Sequence, residues 1–128
     1  MKRNFLLHGA MFMALAVALG AAGSHVLSAK LTENSLRLFT LGVNYQIYHA
    51  LGLLAIGMIF DQYPNRKTVI SGWLMFVGII GFSGGLYFYA LTLSEWVRSI
   101  IPVGGLLLIS SWLVLILAIF TKPTKTYD

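Results

Sequence analysis

Four apolar stretches, at about residues 5–23, 41–60, 69–93 and 101–120, dominate this chain of 128 residues. Each has roughly the twenty residues that an α-helix needs to cross the hydrocarbon core of a bilayer. Only 10% of the residues are charged, whereas 58% are hydrophobic. A soluble domain is about one quarter charged, so these few charges cannot cover a surface in water. The sequence therefore predicts an all-α, integral membrane four-helix bundle that forms a single domain in lipid.

The basic residues lie outside the apolar stretches, and their distribution predicts the orientation. Six lie on the side of the N-terminus, the middle turn and the tail, and three on the other side. Because positive residues are enriched in cytoplasmic loops, we expect both termini in the cytoplasm of a bacterial inner membrane. The net charge of +5 then suits anionic headgroups, and no nucleic-acid partner is expected. The first group is Lys2, Arg3, Arg66, Lys67, Lys122 and Lys125, and the second is Lys30, Arg37 and Arg98.

Polar residues near the ends of the stretches predict where helices start. Thr32 is typical of a helix N-cap and is followed by Glu33, so we expect an interfacial helical segment at about 33–40 that continues into the second span. Pro102 suits the first turn of the fourth helix. The N-terminal stretch also resembles a signal peptide, but it is as long as a full span, and we expect it to be retained.

Two rows of small residues predict close helix packing. Small side chains let helix backbones approach each other in lipid, where dispersion forces replace the hydrophobic effect. We expect both rows to face neighbouring helices, and we expect Gly85→Leu to be more harmful than Gly72→Leu, which lies outside the rows. The first row is Ala10, Ala14, Ala18 and Ala22, and the second includes Gly78, Gly81 and Gly85.

A polar face on the second span is the candidate site. Residues i, i+3 and i+4 share one helix face, which brings Gly42, Tyr45, Gln46, His49 and Gly52 together. With a rise of 1.5 Å per residue, His49 lies roughly 12 Å below the outer edge, near the middle of the membrane. The same depth is reached by serines on the third and fourth helices. We therefore predict a buried polar layer of Tyr45, Gln46, His49, Ser83 and Ser110, with a neutral imidazole hydrogen-bonded inside the bundle.

Catalytic and metal chemistry has little support in the residues. His8 and His25 lie near opposite membrane faces and far in depth from His49, so no single-chain haem or metal site is predicted. Ser83 with His49 is the only candidate nucleophile–base pair, and no carboxylate is at hand to orient the ring. We expect no catalytic residues, no metal, no cofactor and no enzyme activity.

Four ordered motifs between Gly20 and Trp112 resemble the domain of unknown function 423 family, and through it the transmembrane protein 256 group and the staphylococcal membrane-stabilising protein. The resemblance implies a small four-helix protein of the bacterial inner membrane, and it implies no established biochemical activity. The chain has Gly-Ser-His at Gly23–His25, where the family usually has Gly-Ala-His. The motifs are Gly20-Ala21-Ala22-Gly23-Ser24-His25-Val26-Leu27, Tyr45-Gln46-Ile47-Tyr48-His49-Ala50-Leu51, Gly81-Phe82-Ser83-Gly84-Gly85-Leu86-Tyr87 and Ile101-Pro102-Val103-Gly104-Gly105. The family positions among them are His25, Tyr45, Gln46, His49, Phe82, Ser83, Gly84, Pro102, Gly104 and Gly105.

The sequence leaves three hypotheses of function open. The first is a structural or accessory membrane protein that packs against itself or a larger complex and affects membrane integrity. The second is a carrier or channel for a small solute or a proton, formed as an oligomer. The third is a quinone or redox-cofactor site at His49. A homo-oligomer or a larger membrane complex is the expected partner, besides the lipid bilayer.

Overall fold

The computed structural model describes residues 1–121 and is helical throughout, as the sequence predicts. Its elements form four long rods. The first is α1, and the second is α2, a single helix in which the predicted segment at 33–40 forms the first turns. The third rod consists of α3, a π-helical segment and α4. The short α5 then leads into α6, which is the fourth rod. The bounds are α1 Lys2–His25, α2 Glu33–Ile59, α3 Arg66–Ile79, the π-helical segment Ile80–Gly84, α4 Gly85–Thr92, α5 Glu95–Arg98 and α6 Ile100–Phe120, with a 3₁₀ turn at Leu27–Ala29.

Side-chain caps fix the starts of α2 and α3. The Thr32 hydroxyl accepts a hydrogen bond from the Ser35 N–H at 3.2 Å, which confirms the predicted N-cap. Asn65 caps α3 in the same way through the Thr68 N–H, at 3.1 Å. Its side-chain amide also donates to the Ala118 carbonyl at 3.1 Å, so one residue joins the start of α3 to the end of α6.

The rods pack as two pairs, with α1 along α2 and α3 along α6, and α2 also contacts the whole third rod. A cluster of buried apolar side chains from all four rods fills the centre. A smaller cluster around Phe39, Val43 and Ala90 lies towards the start of α2. The central cluster is Phe5, Leu53, Ile56, Met75, Ile79, Leu108 and Leu115.

The outer surface is apolar as well. Large side chains such as Leu7, Leu15, Val17 and Leu106 are at least half exposed. Within the described residues, three helical stretches are long and apolar enough to cross a membrane. These are Lys2–Ala29, Arg66–Thr92 and Glu95–Phe120. A helix bundle that is apolar both inside and outside matches a lipid environment.

The alanine row of α1 does not pack as predicted. Ala10, Ala14 and Ala18 are exposed, and Ala22 is only half-buried. A row at i, i+4 intervals rotates by about 40° per step around a helix with 3.6 residues per turn, so it cannot stay on one contact line. The inward face of α1 is instead Phe5, Gly9, Ala16 and Gly23. A methyl group on Gly9 would lie 2.9 Å from the Ala50 carbonyl oxygen, which shows how closely α1 approaches α2.

The glycine row of the third rod does face a neighbour, α6. Methyl groups placed on Gly78 and Gly85 would lie 2.7 Å from Leu108 Cδ2 and 2.9 Å from Ile101 Cγ1. One on Gly81 would lie 3.2 Å from the Gly104 Cα. The expectation that Gly72→Leu is milder than Gly85→Leu is wrong. A methyl group on Gly72 would overlap the buried Phe5 ring, so a larger side chain fits no better there than at Gly85.

Candidate functional site

Gln46 is the polar centre of the bundle and is only 2% exposed. Its Nε2 donates to the Phe12 carbonyl of α1 at 2.7 Å, and its Oε1 accepts from the Tyr87 hydroxyl of α4 at 2.7 Å. Gly42, one turn earlier on α2, makes room for that tyrosine, since a methyl group on Gly42 would lie 2.7 Å from Tyr87 Cε1. One amide therefore ties three rods together.

Tyr87 is a partner that sequence reasoning missed, although it belongs to one of the quoted motifs. The available signal was chemical: a hydroxyl within a span needs a partner, because hydrocarbon offers none. The Gln46 amide has both hydrogen-bond donors and an acceptor, so it could have been predicted as the partner of the Tyr87 hydroxyl.

His49 lies on the same face of α2 as Gln46 and is 7% exposed. Its Nδ1 is 2.7 Å from the Tyr45 carbonyl oxygen of its own helix. A carbonyl only accepts, so Nδ1 carries a hydrogen, and in the neutral ring Nε2 is then the acceptor. The ring packs 6.0 Å from the rings of Tyr45 and Trp112. The histidine is buried as expected, but its hydrogen bond stays within α2 and joins no second helix.

The predicted serine layer is not formed. Ser83 is fully buried in the π-helical segment, and its hydroxyl has no hydrogen-bond partner among the described residues. Ser110 is half-buried and makes no hydrogen bond to any residue of the described part. Its neighbour Ser111 faces the interior instead, because α6 turns Gly104, Leu108, Ser111, Leu115 and Ala118 inwards.

Ser111 belongs to a second tie, which joins α6 to α3. The Ser71 hydroxyl donates to the Ser111 carbonyl at 2.8 Å, and the Ser111 hydroxyl donates to the Ser71 carbonyl at 2.8 Å. Both residues are fully buried. This reciprocal pair satisfies each hydroxyl without water, as a site inside an apolar bundle requires.

Tyr45 lies at the edge of the site rather than inside it. It is 37% exposed, and its ring contacts those of Tyr48 and Phe82, with centroids 5.7 and 4.9 Å apart. Tyr48 is 56% exposed. Of the predicted layer, Gln46, His49 and Ser83 are buried without forming hydrogen bonds to one another, whereas Tyr45 lies in an aromatic surface patch.

The π-helical segment contains three of the motif positions, Phe82, Ser83 and Gly84, and packs against α6. A methyl group on Gly104 would overlap the backbone of Gly81 and Phe82, so the two backbones touch there. Gly105 faces the Phe82 ring at an ordinary distance, 3.4 Å for an added methyl group. π-Helical turns are rare and often mark functional positions. In this chain the turn adapts the third rod to a neighbour.

Charges lie at the two ends of the bundle. Lys2 forms an ion pair with Asp61 at one end, and Arg98 lies 3.4 Å from Glu95 at the other.

His8 packs its ring 4.6 Å from that of Phe76, and His25 is exposed at the end of α1. Within residues 1–121, no three His, Asp or Glu side chains lie close enough together to hold a metal ion. Lys122 and Lys125, counted for the orientation, lie outside the described residues.

Comparison with known proteins supplies the family. Residues 19–105 match the family model described as "Protein of unknown function (DUF423)". The chain belongs to the DUF423 family. A UPF0382 membrane protein of Staphylococcus haemolyticus is 41% identical over 91% of this chain and 94% of its own length. A UPF0382 membrane protein of Staphylococcus epidermidis is 43% identical over 89% of this chain and 93% of its own length. The UPF0382 membrane protein YwdK of Bacillus subtilis is 40% identical over 89% of this chain and 94% of its own length. No solved structure matches the chain.

Family membership confirms the resemblance found in the sequence and makes this DUF423 chain a helical membrane protein. The matched region begins in the second half of α1 and ends at Gly105, so it includes Gln46, His49, the π-helical segment and Gly104. Among these, Gln46 ties α2 to α1 and the third rod, and Gly104 lets the start of α6 contact the π-helical segment. The reciprocal serine pair falls partly outside it, because Ser111 lies beyond residue 105.

Proposed function

We propose that this DUF423 chain is a four-span protein of the bacterial cytoplasmic membrane with both termini in the cytoplasm. The fourth span is α2, whose 27 residues extend about 40 Å at 1.5 Å per residue. It is less apolar than the other rods because Asn44, Gln46 and His49 lie within it. Gln46 and His49 are turned into the bundle, where a polar group in a membrane is tolerated. The excess of Lys and Arg at the end that holds Lys2 and Arg66 supports the orientation.

We propose further that its role is structural or accessory, as a packed component of the membrane or of a larger membrane complex. The observation that carries this proposal is the use of Gln46. Both its Nε2 and its Oε1 are engaged in hydrogen bonds, to α1 and α4, and it lies beside a core filled with apolar side chains. A transport path needs polar groups that can exchange partners along the span, and an enzyme needs a nucleophile and a base that converge. His49 and Ser83 make no hydrogen bond to each other.

The test is to recover the protein from cells with its neighbours intact. Cells are crosslinked with a membrane-permeant reagent and extracted in mild detergent. Native mass spectrometry and peptide sequencing then measure the oligomeric state and the partners. The proposal expects a defined homo-oligomer or a partner at a fixed ratio, which Gln46→Leu weakens because it loosens the bundle. A monomer without any partner would contradict it.

Two parallel assays separate the competing hypotheses. In the first, proton and solute flux is measured in proteoliposomes and compared with empty liposomes; flux that His49→Leu abolishes would favour a carrier. In the second, the visible absorption spectrum and extractable quinone of the purified protein are measured. A bound chromophore or quinone that His49→Leu removes would favour a redox site. The accessory role predicts flux at the level of empty liposomes and no His49-dependent chromophore.

A further inference from the structure

A groove of about 420 Å³ opens at the end of the bundle where α2 begins. Its walls come from three parts of the chain that are distant in sequence: the first turns of α2, the short helix α4 that ends the third rod, and the α5–α6 junction. All of these are helix ends, so the groove lies at the level where a membrane's headgroups meet its hydrocarbon. It is distinct from the Gln46 site, which is closed inside the bundle.

Two arginines from different elements line this groove. Arg37 belongs to α2 and Arg98 is the last residue of α5. Arg37 donates to the Asn34 side chain at 3.1 Å. Arg98 lies 3.4 Å from Glu95, and the side chains of Arg98 and Glu95 are both mostly exposed. An exposed ion pair of that length contributes little, and each guanidinium has five N–H donors. Both arginines therefore keep donors for an anion, and none of the described residues that line the groove carries a carboxylate.

The rest of the lining suits an acyl chain. Leu38, Leu86 and Ile101 form an aliphatic wall, and Leu86 is only 4% exposed. Tyr89, half-buried at the same wall, adds a hydroxyl that makes no hydrogen bond to a described residue. The groove thus combines two cations, a free hydroxyl and a hydrocarbon surface in one place.

We propose that this groove binds one anionic phospholipid. The phosphate lies between Arg37 and Arg98, the glycerol backbone lies near Tyr89, and one acyl chain follows Leu38, Leu86 and Ile101. Charge complementarity decides the occupant, because planar guanidinium groups pair with phosphate oxygens in a bidentate way. A zwitterionic lipid would bring its ammonium group against the same two cations. The proposal does not depend on the accessory role, since a carrier or a redox protein could hold a lipid there equally well.

The experiment measures which lipid stays bound. The full chain is placed in nanodiscs with equal amounts of phosphatidylglycerol and phosphatidylethanolamine, released in the mass spectrometer, and scored for each lipid adduct. Wild type is expected to retain phosphatidylglycerol preferentially. The double variant Arg37→Gln/Arg98→Gln should lose that preference by about tenfold or more, because each basic residue near an anionic surface contributes roughly a factor of five.

The matched control is Arg3→Gln/Arg66→Gln, which removes the same charge from two exposed arginines at the other end of the bundle. It should retain the lipid as wild type does. An equal loss in the control would overturn the proposal, since net charge alone would then explain the retention. A final arm adds millimolar inorganic phosphate. Unchanged retention supports a lipid, whereas full displacement would show a free-anion site and overturn the role of the aliphatic wall.

Discussion

At the scale of single residues, stability inside the bundle depends on how each buried polar group is satisfied. Gln46 reaches two other helices, whereas His49 reaches only a carbonyl of its own helix. Hydrocarbon supplies no replacement partner when such a bond is lost. Interhelical hydrogen bonds in membrane proteins contribute about 0.6 kcal/mol on average and up to about 1.7. The two neighbours on one helix face should therefore respond differently to the same substitution.

Gln46→Leu is expected to lower the free energy of unfolding by roughly 1–3 kcal/mol, because two bonds are lost and the hydroxyl of the half-buried Tyr87 is left without a partner. Thermal unfolding in a fixed mild detergent measures the change. Tyr87→Phe should cost less, since it removes one bond. The double variant should cost less than the sum of the two, because they share that bond. Strict additivity would argue that Gln46 and Tyr87 do not interact.

His49→Leu is the matched control on the same helix face, and it should cost less than about 1 kcal/mol, since the Tyr45 carbonyl remains within the helix. A loss as large as that of Gln46→Leu would mean that His49 ties helices through a contact this structure does not contain. If His49→Leu instead folds normally and fails to complement a deletion strain, His49 has a functional rather than a structural role.

At the scale of elements, the sequence predicts most of the bundle but not the phase of every helix. The helix start at Glu33 follows from Thr32 before it, whereas α3 begins at Arg66, three residues earlier than the stretch predicted from residue 69, because Asn65 caps it. The π-helical segment does not follow from hydropathy, because a π turn holds one extra residue and rotates later positions by about 100°. Tyr87 lies beyond that turn, so counting 3.6 residues per turn from Val69 could not bring it to Gln46. Ser110 and Ser111 differ by the same rotation, and only packing against α3 selects Ser111.

Gly104→Ala is expected to destabilise the fold by about 1–3 kcal/mol, because the added methyl group meets the backbone of the π-helical segment, which cannot move aside as a side chain can. Gly105→Ala, the adjacent control, should shift the melting temperature little. Circular dichroism melts of both variants in one detergent compare them. Similar melting temperatures would contradict the backbone contact between α6 and the third rod.

Ser71→Cys/Ser111→Cys should form a disulfide, since the two hydroxyl oxygens are 3.3 Å apart and the chain has no other cysteine. Intact mass after mild oxidation and alkylation reports the bond. Ser71→Cys/Ser110→Cys is the control and should stay reduced, because Ser110 points about 100° away on α6. Efficient crosslinking of the control pair alone would place α6 in a different rotation and restore the serine layer predicted from the sequence.

At the scale of the whole molecule, a four-span bundle requires α2 to cross the membrane as well. The other three rods contain stretches apolar enough to cross a membrane, whereas α2 places Gln46 and His49 in the interior that those rods enclose. Membership of the DUF423 family and a surface of exposed aliphatic side chains agree with a membrane protein. Composition predicts that class directly. The face of α1 that contacts α2 could not be predicted from the sequence, because Gly9 and Gly23, rather than the alanine row, lie where the two helices approach most closely.

The most direct test asks whether α2 crosses the membrane. Lys30 and Gln62 are both exposed and flank this helix, so a single cysteine is introduced at each position in the cysteine-free chain. Intact cells are treated with a membrane-impermeant maleimide, before and after permeabilisation. We expect Lys30→Cys to react in intact cells and Gln62→Cys to react only after permeabilisation. Labelling of both positions from the same side would show that α2 does not span the bilayer and would contradict the four-span bundle.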